Sequence, residues 1–385
     1  MERLKSQGLE ASQQHIDSDT QILKPMEKSD AAGHLVLAFG SVAIFEDPSL
    51  PARLRDAYPG AVIAGCTTSG EITAAGVHDD TLVCSSLEFQ KTTIRAHRVE
   101  VESMAESEQA GVALAEALGS DDLSYLFLLS SGLSVNGSAL VRGIRRALPP
   151  GVLFSGGLAG DASRFEKTLV LDGEHVGEKS VVGIGFYGDA LRVGCASVGG
   201  WAPFGPYRTV TRSNDNVLYE IDGQRALDVY SAYLGDEARD LPASGLLFPL
   251  AIASENGKTG LIRTLLSIDK DAGSMTFAGD ILEGTTVQLM HADFDQLVKG
   301  AETASEECMK KGFSDVGFAI LISCVGRKLL LGNNTDLEVD AVVETFGEDT
   351  IATGFYSYGE IGPYEGSGCC ELHNQTMTVT VLFEG

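Results

Sequence analysis

The sequence predicts an α/β protein, grading into α+β, made of two related halves with βαβ units and strand-rich hairpins. Three observations carry this prediction. Apolar runs of strand length, each followed by a helical stretch and a second short apolar run, recur three times along the chain. Two of the turns that close these units read GCTTSGEI (65–72) and GFYSYGEI (354–361), with both glycines, the Glu and the Ile in common. Between the units the chain alternates in the manner of hairpins.

The elements follow in order. Residues 1–34 are polar and read as a mobile arm or a loose helix. Leu35-Val36-Leu37-Ala38-Phe39 is apolar without alternation, the pattern of a strand buried on both faces. A helix spans Pro48 to Tyr58, with Pro51 near its start, and Ala61-Val62-Ile63-Ala64 is the next strand. The second unit has strands at Tyr125–Leu129 and Val152–Phe154 around a helix at Ser138–Leu148, stopped by Pro149-Pro150. Its closing turn contains Gly156, Gly157, Gly160 and Asp161. The third unit has strands at Gly317–Ile322 and Thr350–Thr353 around a helix at Asp336–Phe346. Thr81–Val99 and Thr168–Val198 read as hairpins, with turn signals at Asp172-Gly173 and Gly188-Asp189. Arg212-Ser213-Asn214-Asp215-Asn216 reads as a polar linker, dividing an N-terminal domain (35–215) from a C-terminal one (216–385). In the second domain, helices are expected at Ala226–Leu234 and Phe294–Lys311, and residues 246–290 are strand-rich.

Composition limits the function classes. With 28 Lys+Arg against 54 Asp+Glu the net charge is −26, which disfavours nucleic acid and anionic membranes as partners. No apolar run reaches the ~18 residues that span a bilayer. The N-terminal stretch lacks the apolar core of a signal peptide, so a cytoplasmic location is expected. The seven cysteines include no CxxC pair, and neither a zinc site nor a thioredoxin-type site is supported. The adjacent Cys369 and Cys370 read as idle thiols, with a vicinal disulfide as the rarer alternative.

Familiar motifs are absent or incomplete. Gly183 to Gly188 matches GxGxxG, but Leu191–Cys195 after it reads as a strand where the dinucleotide fingerprint needs a helix. Gly257-Lys258-Thr259 lacks the first glycine of a P-loop and reads as a hairpin. The glycine-bounded turns are the strongest local signal. Cys66, Thr67, Thr68, Glu71, Gly156, Gly157, Asp161, Tyr356, Tyr358 and Glu360 are the candidate ligand-binding residues, because crevices in α/β proteins form at strand C-termini. The structural alternative is that the glycines make the turns and the acids cap the next element. His15, His34, His78 and His175 read as solvated, and His97, His291 and His373 as core histidines that could also hold a haem iron.

At these residues a family becomes recognisable. GCTTSGEI (65–72), SGGLAGD (155–161), LYEIDGQRALDVYSAYLG (218–235), CVGRKLLLG (324–332), GFYSYGEIGP (354–363) and HNQT (373–376) resemble the FIST family of sensory domains, across residues 35 to 383. The resemblance implies an N-terminal and a C-terminal FIST domain and a small-ligand sensor in signal transduction. One branch of that family binds haem, senses nitric oxide and regulates a partner histidine kinase. Amino acids or other small polar metabolites are the rival ligands. The expectation is therefore a cytoplasmic sensor whose ligand lies among the three turns. Haem is the candidate cofactor, with His373, His291 or His97 as its axial ligand. An enzyme using Cys66, or Glu71 with Glu360, is the alternative from another class.

Overall fold

The chain forms an α+β fold. The computed structural model describes residues 2–6, 8–17, 23–253, 260–310, 312, 317–347, 349–363 and 369–385. The hairpin expected at Gly257-Lys258-Thr259 lies outside them.

Three βαβ units make up the core. Each has a centre strand, a parallel partner reached through helix, and a return strand antiparallel to the centre. The centres are Gly33–Gly40, Leu123–Ser130 and Phe318–Cys324. Their parallel partners are Val62–Thr67, Leu153–Leu158 and Ile351–Ser357. The return strands are Leu82–Phe89, Ser180–Tyr187 and Met377–Glu384. A further strand pairs outside each return strand: Leu9–Ile16, Thr93–Glu100 and Leu191–Val198 respectively.

The units exchange strands in a ring. After its parallel strand, each unit sends a short strand to the next sheet. Glu71–Thr73 of the first unit pairs with Ile351–Ser357 of the third. Gly359–Pro363 of the third pairs with Leu153–Leu158 of the second. Val170–Leu171 of the second pairs with Val62–Thr67 of the first. The cycle closes, giving internal pseudo-threefold symmetry.

The continuous apolar runs follow from this arrangement. Leu35, Leu37 and Phe39, Tyr125, Phe127 and Leu129, and Phe318, Ile320 and Ile322 all face one shared core. The alternate residues face each unit's own helices: Val36 and Ala38 meet Leu50 and Leu54, while Leu126 and Leu128 meet Leu140 and Ile144. Ala319 and Leu321 meet Val339 and Val342. A strand buried on both faces carries no polar alternation. The helices Gly137–Ala147 and Asp336–Phe346 lie where the sequence placed them; Asn136 caps the first by accepting from Ala139 N at 3.0 Å.

Four expectations are corrected. The N-terminal segment is no mobile arm or loose helix over Leu9–Ile16, which is a strand in the first sheet. Leu82–Phe89 and Thr93–Glu100 follow one another in sequence but belong to different sheets, so 81–99 is not a hairpin. Ser180–Tyr187 and Leu191–Val198 likewise separate into two sheets, although Val170–Leu171 and Val176–Gly177 do form the hairpin expected at Asp172-Gly173. The stretch 212–216 is not a linker: Asn214 pairs with Val217 at the tip of a hairpin within a fourth sheet. That fourth sheet, spanning residues 202–291, is inserted in the third unit between its outer strand and its centre. It docks on the core through Arg142 to Asp280 (2.6 Å), Arg263 to the Leu372 carbonyl (3.1 Å) and Gln375 to the Leu246 carbonyl (3.1 Å).

Candidate functional site

The three turns meet on the pseudo-threefold axis. Gly65, Gly156 and Gly354 occupy equivalent places; a Cβ there would stand 2.1, 2.0 and 1.7 Å from the carbonyl oxygens of Ala38, Leu128 and Leu321. Only glycine allows the parallel strands this approach. Beyond them a ring of backbone hydrogen bonds closes. Ser69 N donates to Tyr356 O (2.8 Å), Tyr358 N to Leu158 O (3.1 Å) and Gly160 N to Thr67 O (3.0 Å). This ring makes Ser69, Gly160 and Tyr358 equivalent, so Asp161 stands where the other turns have Gly70 and Gly359.

Two of the acids are internal latches. Glu71 is buried and accepts from the Thr68 hydroxyl, from Thr81 N (3.1 Å) and from Thr81 Oγ1 (2.7 Å). Glu360, 0% exposed, repeats the pattern with Ser357 Oγ (2.6 Å), Thr376 N (3.1 Å) and Thr376 Oγ1 (2.9 Å). Each latch ties its turn to the start of a return strand. Burial pushes the Glu71 carboxyl up to about 7 and that of Glu360 up to about 8, against the hydrogen bonds that favour the ionised form.

The other candidates are also committed to the fold. Cys66 is fully buried, and burial holds its thiol well above the usual range, which is unsuited to a nucleophile. Thr67 Oγ1 accepts from Leu169 N (3.0 Å). Tyr356 donates to Glu338 (2.5 Å), whose other oxygen binds Arg327 at 2.6 Å in an ion pair with both side chains 0% exposed. A Cβ on Gly157 would stand 2.8 Å from Ile322 Cγ2, so this glycine serves close core packing. Asp161 binds its own loop: Oδ1 accepts from Phe165 N (2.9 Å) and from the Tyr358 hydroxyl, and Oδ2 from Glu166 N and Lys167 N (both 2.8 Å). The turns converge, as the sequence indicated, but their polar groups fill the space between them.

One face of this knot borders a cleft. Tyr358 and Leu158 form its inner wall, and the Phe165 ring stacks on Tyr358 with centroids 4.5 Å apart. Gly132, Leu133, Val135 and Asn136, before helix Gly137–Ala147, form a second wall, and Leu266, Phe277 and Gly279 of the fourth sheet form the third. The cleft has a volume of about 70 Å³. Of the ten candidate residues, Tyr358 alone lines it. Asn136, at its rim, donates to Asp280 Oδ1 at 3.1 Å. Arg263 lies behind Gly279, and its guanidinium donates to the carbonyls of Asp280 (3.0 Å), Ile262 and Leu372 (both 3.1 Å).

The histidines fall differently from expectation. His97 and His291 are exposed on strands, and His34 is buried against Ser86 Oγ (2.8 Å). His373 is buried with Nε2–H donating to the Gly362 carbonyl (3.1 Å), and burial lowers it to about 4, so its ring is neutral. None of His97, His291 and His373 lines a described cavity. The next residue, Asn374, escaped the sequence reading apart from its place in HNQT. It is 0% exposed, and among the described residues neither its Nδ2 nor its Oδ1 has a hydrogen-bond partner.

Comparison with known proteins bears on this geometry. A family model described as the FIST N domain matches residues 34–224, and one described as the FIST C domain matches residues 226–363. The chain is also similar to the uncharacterized protein MJ1623 of Methanocaldococcus jannaschii, with 24% identity over 368 residues, 84% of this chain and 68% of that protein.

Proposed function

We propose a small-ligand sensor, taking as premise that this chain belongs to the FIST family, whose domains are associated with small-ligand sensing in signal transduction. The ligand enters the cleft between the three-unit core and the inserted sheet. One observation carries this: the turn residue Tyr358, held by the backbone ring and stacked under Phe165, borders a cleft whose far wall is a separate sheet. A molecule bound there touches both bodies at once. It biases their arrangement by its differential affinity for the open and closed forms, and a signalling partner reads the result. A histidine kinase is the partner that the resemblance names.

Of the two ligand classes, a small polar metabolite such as an amino acid is favoured over haem with nitric oxide. The cleft of about 70 Å³ is small against the roughly 300–1,000 Å³ of ordinary ligand pockets. Its opening therefore accompanies binding, and the three candidate axial histidines lie elsewhere. No helix among the described residues is long and apolar enough to cross a membrane.

The test is a thermal-shift screen of amino acids and small polar metabolites on the full chain and on Phe165→Ala, with a parallel haemin titration. The expected result is a stabilising compound whose effect falls at least tenfold in concentration terms with Phe165→Ala. A sharp Soret band that moves with nitric oxide would instead restore the haem reading.

A further inference from the structure

A native interior rarely leaves a whole amide without partners, and Asn374 is such an amide. Its Nδ2 stands 3.6 Å from where a Cβ on Gly359 would be; Leu158 Cδ2 lies at the same distance and Leu372 Cδ1 at 3.1 Å. Across the cleft, a Cβ on Gly137 would meet the same two leucines, at 3.2 and 2.9 Å. Leu158 and Gly137 line the cleft. Two leucine side chains, packed against the glycines on both sides, thus lie between the orphaned amide and a cleft that already opens to solvent, and the amide is reached only when they turn. Two further buried groups of this junction lack partners among the described residues: Gln375 Oε1, one residue on, and Thr264 Oγ1, on the facing sheet beside Arg263.

We infer that the cleft extends past Leu158 and Leu372 to Asn374 in the bound state, and that Asn374 recognises an uncharged molecule carrying a carboxamide or cyclic-amide edge. The inference rests on the cleft being the sensory pocket. An amide has one donor and one acceptor side by side. Its complement is another amide edge, which satisfies Nδ2 and Oδ1 together. A carboxylate would leave Oδ1 facing lone pairs, and an ammonium would leave Nδ2 unmet. The surroundings do not call for an anion: the nearby cation, Arg263, is committed to the carbonyls of Asp280, Ile262 and Leu372, and the chain carries a net charge of −26. The apolar walls, with the stacked Phe165–Tyr358 pair, suit a flat ring behind the amide.

The probes are nicotinamide and nicotinate, which differ in the amide alone, titrated calorimetrically into the full chain, Asn374→Leu and Phe165→Ala. Nicotinamide should bind at least about 100-fold more tightly than nicotinate, because a site built for an N–H discriminates strongly against its loss. Asn374→Leu should abolish that binding while its ligand-free melting temperature holds or rises, since the orphaned amide is gone. Asn374→Ala supplies the same loss of binding should leucine disturb packing. Equal binding of amide and acid, or undiminished nicotinamide binding by both Asn374 variants, overturns the inference. Failure of nicotinamide alongside another compound that still depends on Phe165 overturns the amide assignment and leaves the cleft standing. Failure of every compound removes both.

Discussion

Replacing Glu360 by Gln isolates one latch. In the unfolded chain this carboxyl titrates near 4.5; burial raises it to about 8 in the fold. A raised acid holds its proton in the native state over a window in which the unfolded chain has released it. The stability that this protonation supplies is full below about 4.5 and is lost as pH rises to about 8. At about 1.4 kcal/mol per pH unit, the loss across the window is on the order of 5 kcal/mol. Glu360→Gln is permanently neutral and keeps an acceptor for Thr376, so it lacks this dependence. The single tryptophan reports on the same turn: Trp201 Nε1 donates to the Gln375 carbonyl (2.8 Å), one residue before Thr376. Urea denaturation followed by Trp201 fluorescence, at pH values from about 5 to about 9, gives the stability of both chains. Buried His373 acts in the opposite sense below about 6.5, but it is common to both and cancels in the difference. The wild type should lose stability relative to Glu360→Gln as pH rises, levelling off above about 8. A difference that stays flat would mean that the buried carboxyl is ionised throughout, and the latch as described would be wrong.

Three further outcomes are expected. Gly160→Ala places a Cβ 2.3 Å from Ser69 Oγ and 3.0 Å from Ser69 N, so it should strain the backbone ring and cost about 1–3 kcal/mol in denaturant titrations. Arg327→Met leaves Glu338 buried without its cation and should cost about 3–5 kcal/mol, with part recovered when Glu338→Gln is added. A thiol reagent should label Cys369 rapidly in the native protein and all seven cysteines only in denaturant, since the other six are buried.

Much of the core was legible because its strands are buried on both faces. Leu35–Phe39, Tyr125–Leu129 and Gly317–Ile322 show runs without polar breaks, and a run of strand length bounded by turn residues has few other readings. Pairing was not legible. Only Gln90-Lys91-Thr92 separates Leu82–Phe89 from Thr93–Glu100, yet the two strands join different sheets. Strand Leu9–Ile16 was hidden by its polar composition. Its glutamines are held by hydrogen bonds: Gln13 donates to Ser85 Oγ (3.0 Å) and the Ala352 carbonyl (2.9 Å), and Gln14 to Tyr58 OH (2.8 Å). The turns stood out by their glycines, and they do converge. Whether Glu71 and Glu360 face a ligand or are sealed depends on Thr81 and Thr376, which strand pairing brings to them. Asn374 could not have been singled out, because a missing partner is visible only in the fold.

The central claim is that a small molecule bridges the three-unit core and the inserted sheet. Backbone hydrogen exchange on the full chain, with and without a compound that raises its melting temperature, tests this most directly. The account predicts slowed exchange confined to residues 132–137, 161–167, 277–280 and 372–376. Protection elsewhere, such as on helices Phe294–Met309 and Asp336–Phe346, with those four segments unchanged, would contradict it.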